Sequence, residues 1–175
     1  MKKSILFLSV TLISYALNVG DVLPNIVLEK ANGGDAQGKA WHSKTLKGKV
    51  HTLLYMDPDK REDVKLLLDA LNRLSYTKKD YTTVAIINLA TTWMPDAVLE
   101  SKLKEKQKEL KHMEYVFDKD KFFIKKWHLK DNTSNVLILN KKGKIIYKKT
   151  GIFMKNHVKN IIQLIDKTIK EKNEK

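Results

Sequence analysis

Two apolar runs, "VHTLLYM" at 50–56 and "YTTVAIINL" at 81–89, flank a stretch whose leucines recur at helical spacing, and that arrangement restricts the fold more than any other feature. The second run is rich in β-branched residues and too apolar for a sheet edge, so it belongs centrally, covered on both faces. Between the runs, Val64, Leu67, Leu68, Leu71 and Leu74 stand at i, i+3, i+4, i+7 and i+10 and form one apolar stripe that faces the sheet. Pro58 and Asp59 break the first strand. Asp59 with Glu62 three residues on has the form of a capping box, which predicts a helix opening at 59.

The rest of the chain continues the alternation. A short strand is expected at 26–30, a turn in "ANGGDAQGK", an extended segment in "KAWHS" and one helical turn in "TLKGK", stopped by Gly48. Pro95 and Asp96 open a second helix through "AVLESKLKEKQKEL", whose mostly charged face is solvated. "MEYVF" reads as a strand. "DKDKFFIKKWHL" reads as a short helix with Phe123, Ile124 and Trp127 on one side, a spacing that fits core packing. "SNVLIL", the turn "NKKG", "KIIYKK" and a helix from about 155 close the chain, with Val158, Ile161, Ile162, Ile165 and Ile169 as the buried stripe and "KEKNEK" as a fraying tail. Strands alternating with helices, ended by a hairpin and a helix, predict an α/β sandwich on a mixed central sheet. At 175 residues, one domain over 17–175 accounts for the chain.

The first residues, "MKKSILFLSVTLISYALN", set two lysines before an apolar run and place Ser14 and Ala16 at the spacing of a signal-peptidase site. The run at 5–16 is shorter than the roughly 20 residues that span a bilayer. A cleaved signal over 1–16, with cleavage about Ala16, and a soluble periplasmic product are expected. Cysteine is absent, so disulfides, thiol nucleophiles and thiolate metal sites are closed. The formal charge of +14 drops to +12 once Lys2 and Lys3 leave. Only Arg61 and Arg73 are arginines, so the charge is lysine spread along the chain, which argues against base readout and for solvated faces. A weak attraction to anionic surfaces remains open.

"LKGKVHTLLYM" before a polar turn and helix resembles the strand and active-site turn of thioredoxin-like proteins of the TlpA and peroxiredoxin type. "KAWHSKTLKGKV", "YTTVAIIN" and "SNVLILNKKGKI" are similar to the YtfJ family of small exported bacterial proteins. The resemblance implies a thioredoxin-like α/β/α sandwich with a C-terminal β-hairpin plus helix, and supplies no reaction. It also places the two positions that carry cysteines in redox members near Lys60 and Asp63, and their proline at about Ser134. With only Pro24, Pro58 and Pro95 present, both halves of the redox apparatus are missing.

Candidate residues follow from the turn "DPDKRED". Asp57, Asp59 and Asp63 beside Lys60 and Arg61 could serve as an acid/base pair or a weak cation site, although acids in a first helical turn ordinarily cap it. The histidines have no paired helical spacing, so no metal centre or cofactor is expected. His42 beside Trp41 lies in the segment that the resemblance brings towards the active-site end, where Trp41 could equally cover the core. Ser134 and Asn135 could offer donors to a ligand or simply hold their loop. The leading reading has no catalytic residue: an envelope protein or peptide is bound along the vacated active-site surface by Trp41, His42, Asp57, Asp59, Lys60, Arg61 and Ser134. The alternatives are an envelope enzyme using Asp57, Asp59 and His42, and a lysine-driven polyanion binder.

Overall fold

The structure, a computed structural model, describes residues 16–110 and 112–171. The expected signal, apart from Ala16, and the end of the lysine-rich tail lie outside the described residues. In chain order the elements are β1 (Val27–Leu28), β2 (Gly33–Asp35), β3 (Trp41–His42), β4 (Val50–Met56), α1 (Lys65–Asn72), β5 (Tyr81–Asn88), α2 (Asp96–Glu109), β6 (Met113–Asp118), α3 (Phe122–Trp127), β7 (Asn135–Leu139), β8 (Ile145–Thr150) and α4 (Lys155–Lys170). Six strands form one sheet in the order β2-β6-β5-β4-β7-β8, and β1 pairs with β3 beside it.

Strand β5 takes the central place its composition requires. Every one of its residues is buried, and it runs parallel to β4 on one side and β6 on the other. The edges turn antiparallel: β7 against β4, β8 against β7, and β2 against β6. Successive parallel crossovers in one direction put α1 and α2 on the same face of the sheet, because such connections are right-handed. There Leu67, Leu68 and Leu71 of α1 join Ile161 and Ile165 of α4 over Leu54, Ala85 and Ile138. Each fully buried leucine of this stripe contributes about 2 kcal/mol. Helix α2 buries no residue and touches the core through Leu99 and Leu103 alone, as its charged sequence demands. The opposite face is closed by the N-terminal segment and α3, with Trp41, Phe123 and Trp127 packed on Leu53, Tyr55 and Ile86.

Three local expectations are corrected. The helix expected from 59 starts later, because Pro58–Val64 winds as a 3-10 helix broken at Lys60 (φ −109°, ψ 21°), and the true α-helix begins at Lys65. The cap is Asp57 rather than Asp59: its Oδ1 accepts the Asp59 N–H at 3.0 Å. "ANGGDAQGK" is not only a turn, since Gly33–Asp35 forms an edge strand against Val116–Asp118. Gly33 has φ +127°, and a side chain there would overlap the Phe117 carbonyl, so the glycine that disguises this strand is also what lets it approach. The turn in "TLKGK" is displaced to a 3-10 helix at Ser43–Thr45, with Gly48 at φ +90° after it. The closing hairpin forms as expected, with Asn140 Oδ1 accepting the Lys142 and Lys144 N–H groups, both at 3.0 Å.

Candidate functional site at the carboxyl edge of the sheet

In open α/β sheets ligands gather outside the carboxyl ends of the parallel strands. Here β4, β5 and β6 end at Met56, Asn88 and Asp118, and three loops rise from that edge. The turn 58–64 lies in the middle. On one side the Thr92 hydroxyl donates to Asp59 Oδ1 at 3.3 Å, tying the turn to the loop after β5. On the other the Phe153 N–H donates to the Asp63 carbonyl at 2.8 Å, tying it to the loop after β8. Lys60 and Arg61 stand exposed on the crown between these ties.

The structure divides the expected site residues into two groups. Asp59, Lys60 and Arg61 are exposed and share the turn. Trp41, Asp57 and Ser134 are buried, at 6%, 4% and 0% exposure, and offer no open surface. Trp41 meets Phe123 edge to face at 5.6 Å beneath α3, so it covers the core. Asp57 is spent on its cap. His42 is half-buried in β3, and among the described residues none of its hydrogen bonds runs to Asp57 or Asp59. Among the described residues no group of three or more His, Asp or Glu side chains could hold a metal ion.

The Ser134 carbonyl accepts the Gly151 N–H at 2.9 Å, while its buried hydroxyl has no partner among the described residues. Asn135 instead holds its own loop, accepting from Lys130 N at 3.0 Å and donating to the Lys130 carbonyl at 2.8 Å. Because an unpartnered buried hydroxyl costs stability, Ser134→Ala is expected to raise the unfolding free energy by about 0.5–1 kcal/mol. Urea melts of the two proteins check this. A loss above that size would mean the hydroxyl is bonded in solution.

Sequence reasoning missed the apolar part of this edge. Trp93 is 83% exposed, Ile152 63% and Met154 61%, and they stand in the two loops that the turn bridges. The sequence shows large apolar residues in "TTWMPD" and "GIFM" but no period that separates exposed from buried ones, since Phe153 between Ile152 and Met154 is 2% exposed. Behind Trp93 a cavity of about 230 Å³ opens between the turn, α1 and α2, reaching down to Met56 and Ile87. A larger hollow of about 510 Å³ lies by the opposite edge, around Leu74, Tyr76 and His112 and away from the turn.

The family described as a bacterial protein of unknown function (YtfJ_HI0045) matches residues 20–168. The chain belongs to this family. Two relatives match it: the uncharacterized protein YtfJ of Escherichia coli strain K12 is 24% identical over 135 residues, 75% of this chain and 73% of its own. An uncharacterized protein of Haemophilus influenzae is also 24% identical, over 95% of this chain and 98% of its own. Among solved structures, a thiol-disulfide isomerase from Corynebacterium glutamicum superposes with a TM-score of 0.61 at 14% identity, over 87% of this chain and 98% of that one. The pneumococcal exposed lipoprotein thioredoxin gives 0.56 at 16%, over 82% and 99%. These likenesses establish a thioredoxin-like fold and no more. In this YtfJ-family chain the turn that follows β4 carries Lys60 and Asp63 and the sequence has no cysteine, so thiol-disulfide chemistry has no sulfur to act through here.

Proposed function

We propose that this YtfJ protein is an exported, cysteine-free binding module that holds a polypeptide across the carboxyl edge of its sheet. One observation carries the reading: Trp93 on one side of the turn and Ile152 and Met154 on the other leave their apolar surface in water, and Lys60 and Arg61 stand between them. Large apolar side chains grouped in water at one edge mark an interaction surface. A flat apolar margin with two cations suits a chain that brings both apolar side chains and backbone carbonyls or carboxylates. The lysines and apolar run of residues 1–16 support delivery to the periplasm. No helix among the described residues is long and apolar enough to cross a membrane.

In-cell photo-crosslinking tests the reading, with probes at positions 60 and 93 and a control at Glu105 on the exposed side of α2. A discrete adduct from 60 and 93, absent from 105, is the expected result. Equal smearing from all three would reduce the surface to lysine stickiness, and silence from all three would remove a protein partner altogether.

A further inference from the structure

The cavity behind Trp93 is too small for a typical whole ligand. At roughly 30 Å³ per water its 230 Å³ holds about eight waters, against the roughly 300–1,000 Å³ of sites that enclose drug-sized molecules. It suits one large side chain and little else. Its inner wall is apolar, from Met56, Ile87, Leu99 and Leu103. Three of the polar groups that line it have no partner among the described residues. Arg61 and Lys106 line it, and neither takes part in an ion pair among the described residues. Tyr115 also lines it, 5% exposed, with its hydroxyl in no hydrogen bond among the described residues. Burial raises the pKa of that hydroxyl and the Arg61 charge opposes the rise, so guanidinium and phenol lie within electrical reach of each other. Asp59 and Asp69 are at the rim as well, Asp59 already accepting from Thr92.

We propose that this cavity receives the carboxy-terminal residue of a bound polypeptide, with its apolar side chain on Ile87 and Leu103 and its carboxylate among Arg61, Lys106 and the Tyr115 hydroxyl. This rests on the polypeptide-binding reading above and names the part of the polypeptide that is held. A mid-chain residue would bring only a neutral amide to this lining, whereas a terminal carboxylate can accept from a guanidinium, an ammonium and a phenol, none of which is in an ion pair or hydrogen bond among the described residues. Asp59 and Asp69 bring the formal charge of the lining to zero, so a single carboxylate placed on the Arg61 and Lys106 side is the most negative charge it suits.

The experiment is an NMR titration of the full-length ¹⁵N-labelled protein with an acetylated neutral pentapeptide ending in Phe, as the free acid and as the carboxamide. Trp93 supplies an indole reporter at the mouth, while the indoles of Trp41 and Trp127 are buried and report on the fold. The free acid is expected to shift the Trp93 indole and the amides of 61, 92–94 and 103–106, and to bind about tenfold tighter than the carboxamide. Combined Arg61→Gln and Lys106→Gln is expected to abolish that preference with the Trp41 and Trp127 signals unmoved. Equal binding of acid and amide would overturn the terminal-carboxylate assignment, and so would acetylphenylalanine binding as tightly as the pentapeptide, which would make the cavity a small-molecule site. Shifts around Leu74 and His112 instead would overturn the location. If the probe at 93 still captures a discrete partner in any of these cases, the surface reading survives without the terminus. If the peptides move no signal and the probes are silent, both fall.

Discussion

Replacing Asp118 with Ala is expected to lower the unfolding free energy by about 4 kcal/mol, the largest loss from any single carboxylate among the described residues. Asp118 ends β6 with no exposed surface, and its two oxygens organise everything that follows. Oδ1 accepts the N–H groups of Asp120 at 3.1 Å and Phe122 at 2.8 Å. Oδ2 accepts the Phe123 N–H at 3.0 Å and the Tyr55 hydroxyl at 3.2 Å. The first turn of α3 has no other side-chain cap, since Lys121 before it sits in the left-handed region at φ +52°. Removing the carboxylate takes the acceptor from the half-buried Phe122 N–H and strands the buried Phe123 N–H and Tyr55 hydroxyl. Burial, with Asp118 second, raises the Tyr55 pKa far above its ordinary range, so Tyr55 is a donor at every working pH and cannot adapt by ionising. Asp118→Asn keeps one accepting oxygen and is expected to lose about half as much. Urea unfolding followed by the fluorescence of Trp127, which packs on Phe123 at 4.6 Å, reports both stability and the seating of α3. A loss under 1 kcal/mol for the Ala variant would show that α3 is held by its aromatic packing alone.

Periodicity made the sheet and its helical cover legible: seven of seven residues are buried in β4 and eight of eight in β5, while of the α4 stripe Ile161 and Ile165 are buried and Val158, Ile162 and Ile169 are half-buried against the core. It failed where backbone geometry, not side-chain pattern, decides. Gly33 and Gly34 carry no side chain to show a strand, and the pairing of β2 rests on close approach to Phe117. The capping signal at Asp59 was two residues out of place: once Pro58 starts a tighter helix, Asp57 is the cap, and it accepts the Asp59 N–H. The site was half legible. Lys60 and Arg61 were placed by their position after a long strand, but Trp41 and Ser134 were drawn in from positions the family resemblance marks, and burial withdraws them. Trp93, Ile152 and Met154 lie in loops, where no period distinguishes a side chain left in water from one tucked beneath a neighbour.

Stability is expected to fall by about 3 kcal/mol as the pH drops from 7 to 4, with most of the loss between 6.5 and 4, and to lose that slope in His51→Phe. His51 is 2% exposed in the middle of the sheet, and burial first, then the charge of Lys49, lowers its pKa from 6.5 to about 4. Its Nδ1–H donates to the Lys49 carbonyl at 3.1 Å, a bond that opposes the shift without overcoming it. Between the two values the unfolded chain binds a proton that the folded chain refuses, so unfolding takes up protons and stability rises with pH across that window. Above 6.5 neither state is protonated and the contribution is complete; below 4 both are, and it is gone. The carboxylates act lower on the scale. For Glu100, burial resists ionisation but the Lys119 hydrogen bond and charge prevail, and for Asp131 the Lys121 hydrogen bond leads, so both pKa values sit below the ordinary carboxylate range and their support is lost only as the pH falls through it. Urea midpoints at half-unit steps from pH 7.5 to 4.5 therefore isolate the histidine. The phenylalanine variant keeps a ring in the same space and loses only the bond to Lys49, so its curve should start lower by about 1 kcal/mol and run flat where the parent falls. Parallel slopes for the two proteins would assign the acid sensitivity elsewhere and return His51 to a neutral role in the sheet.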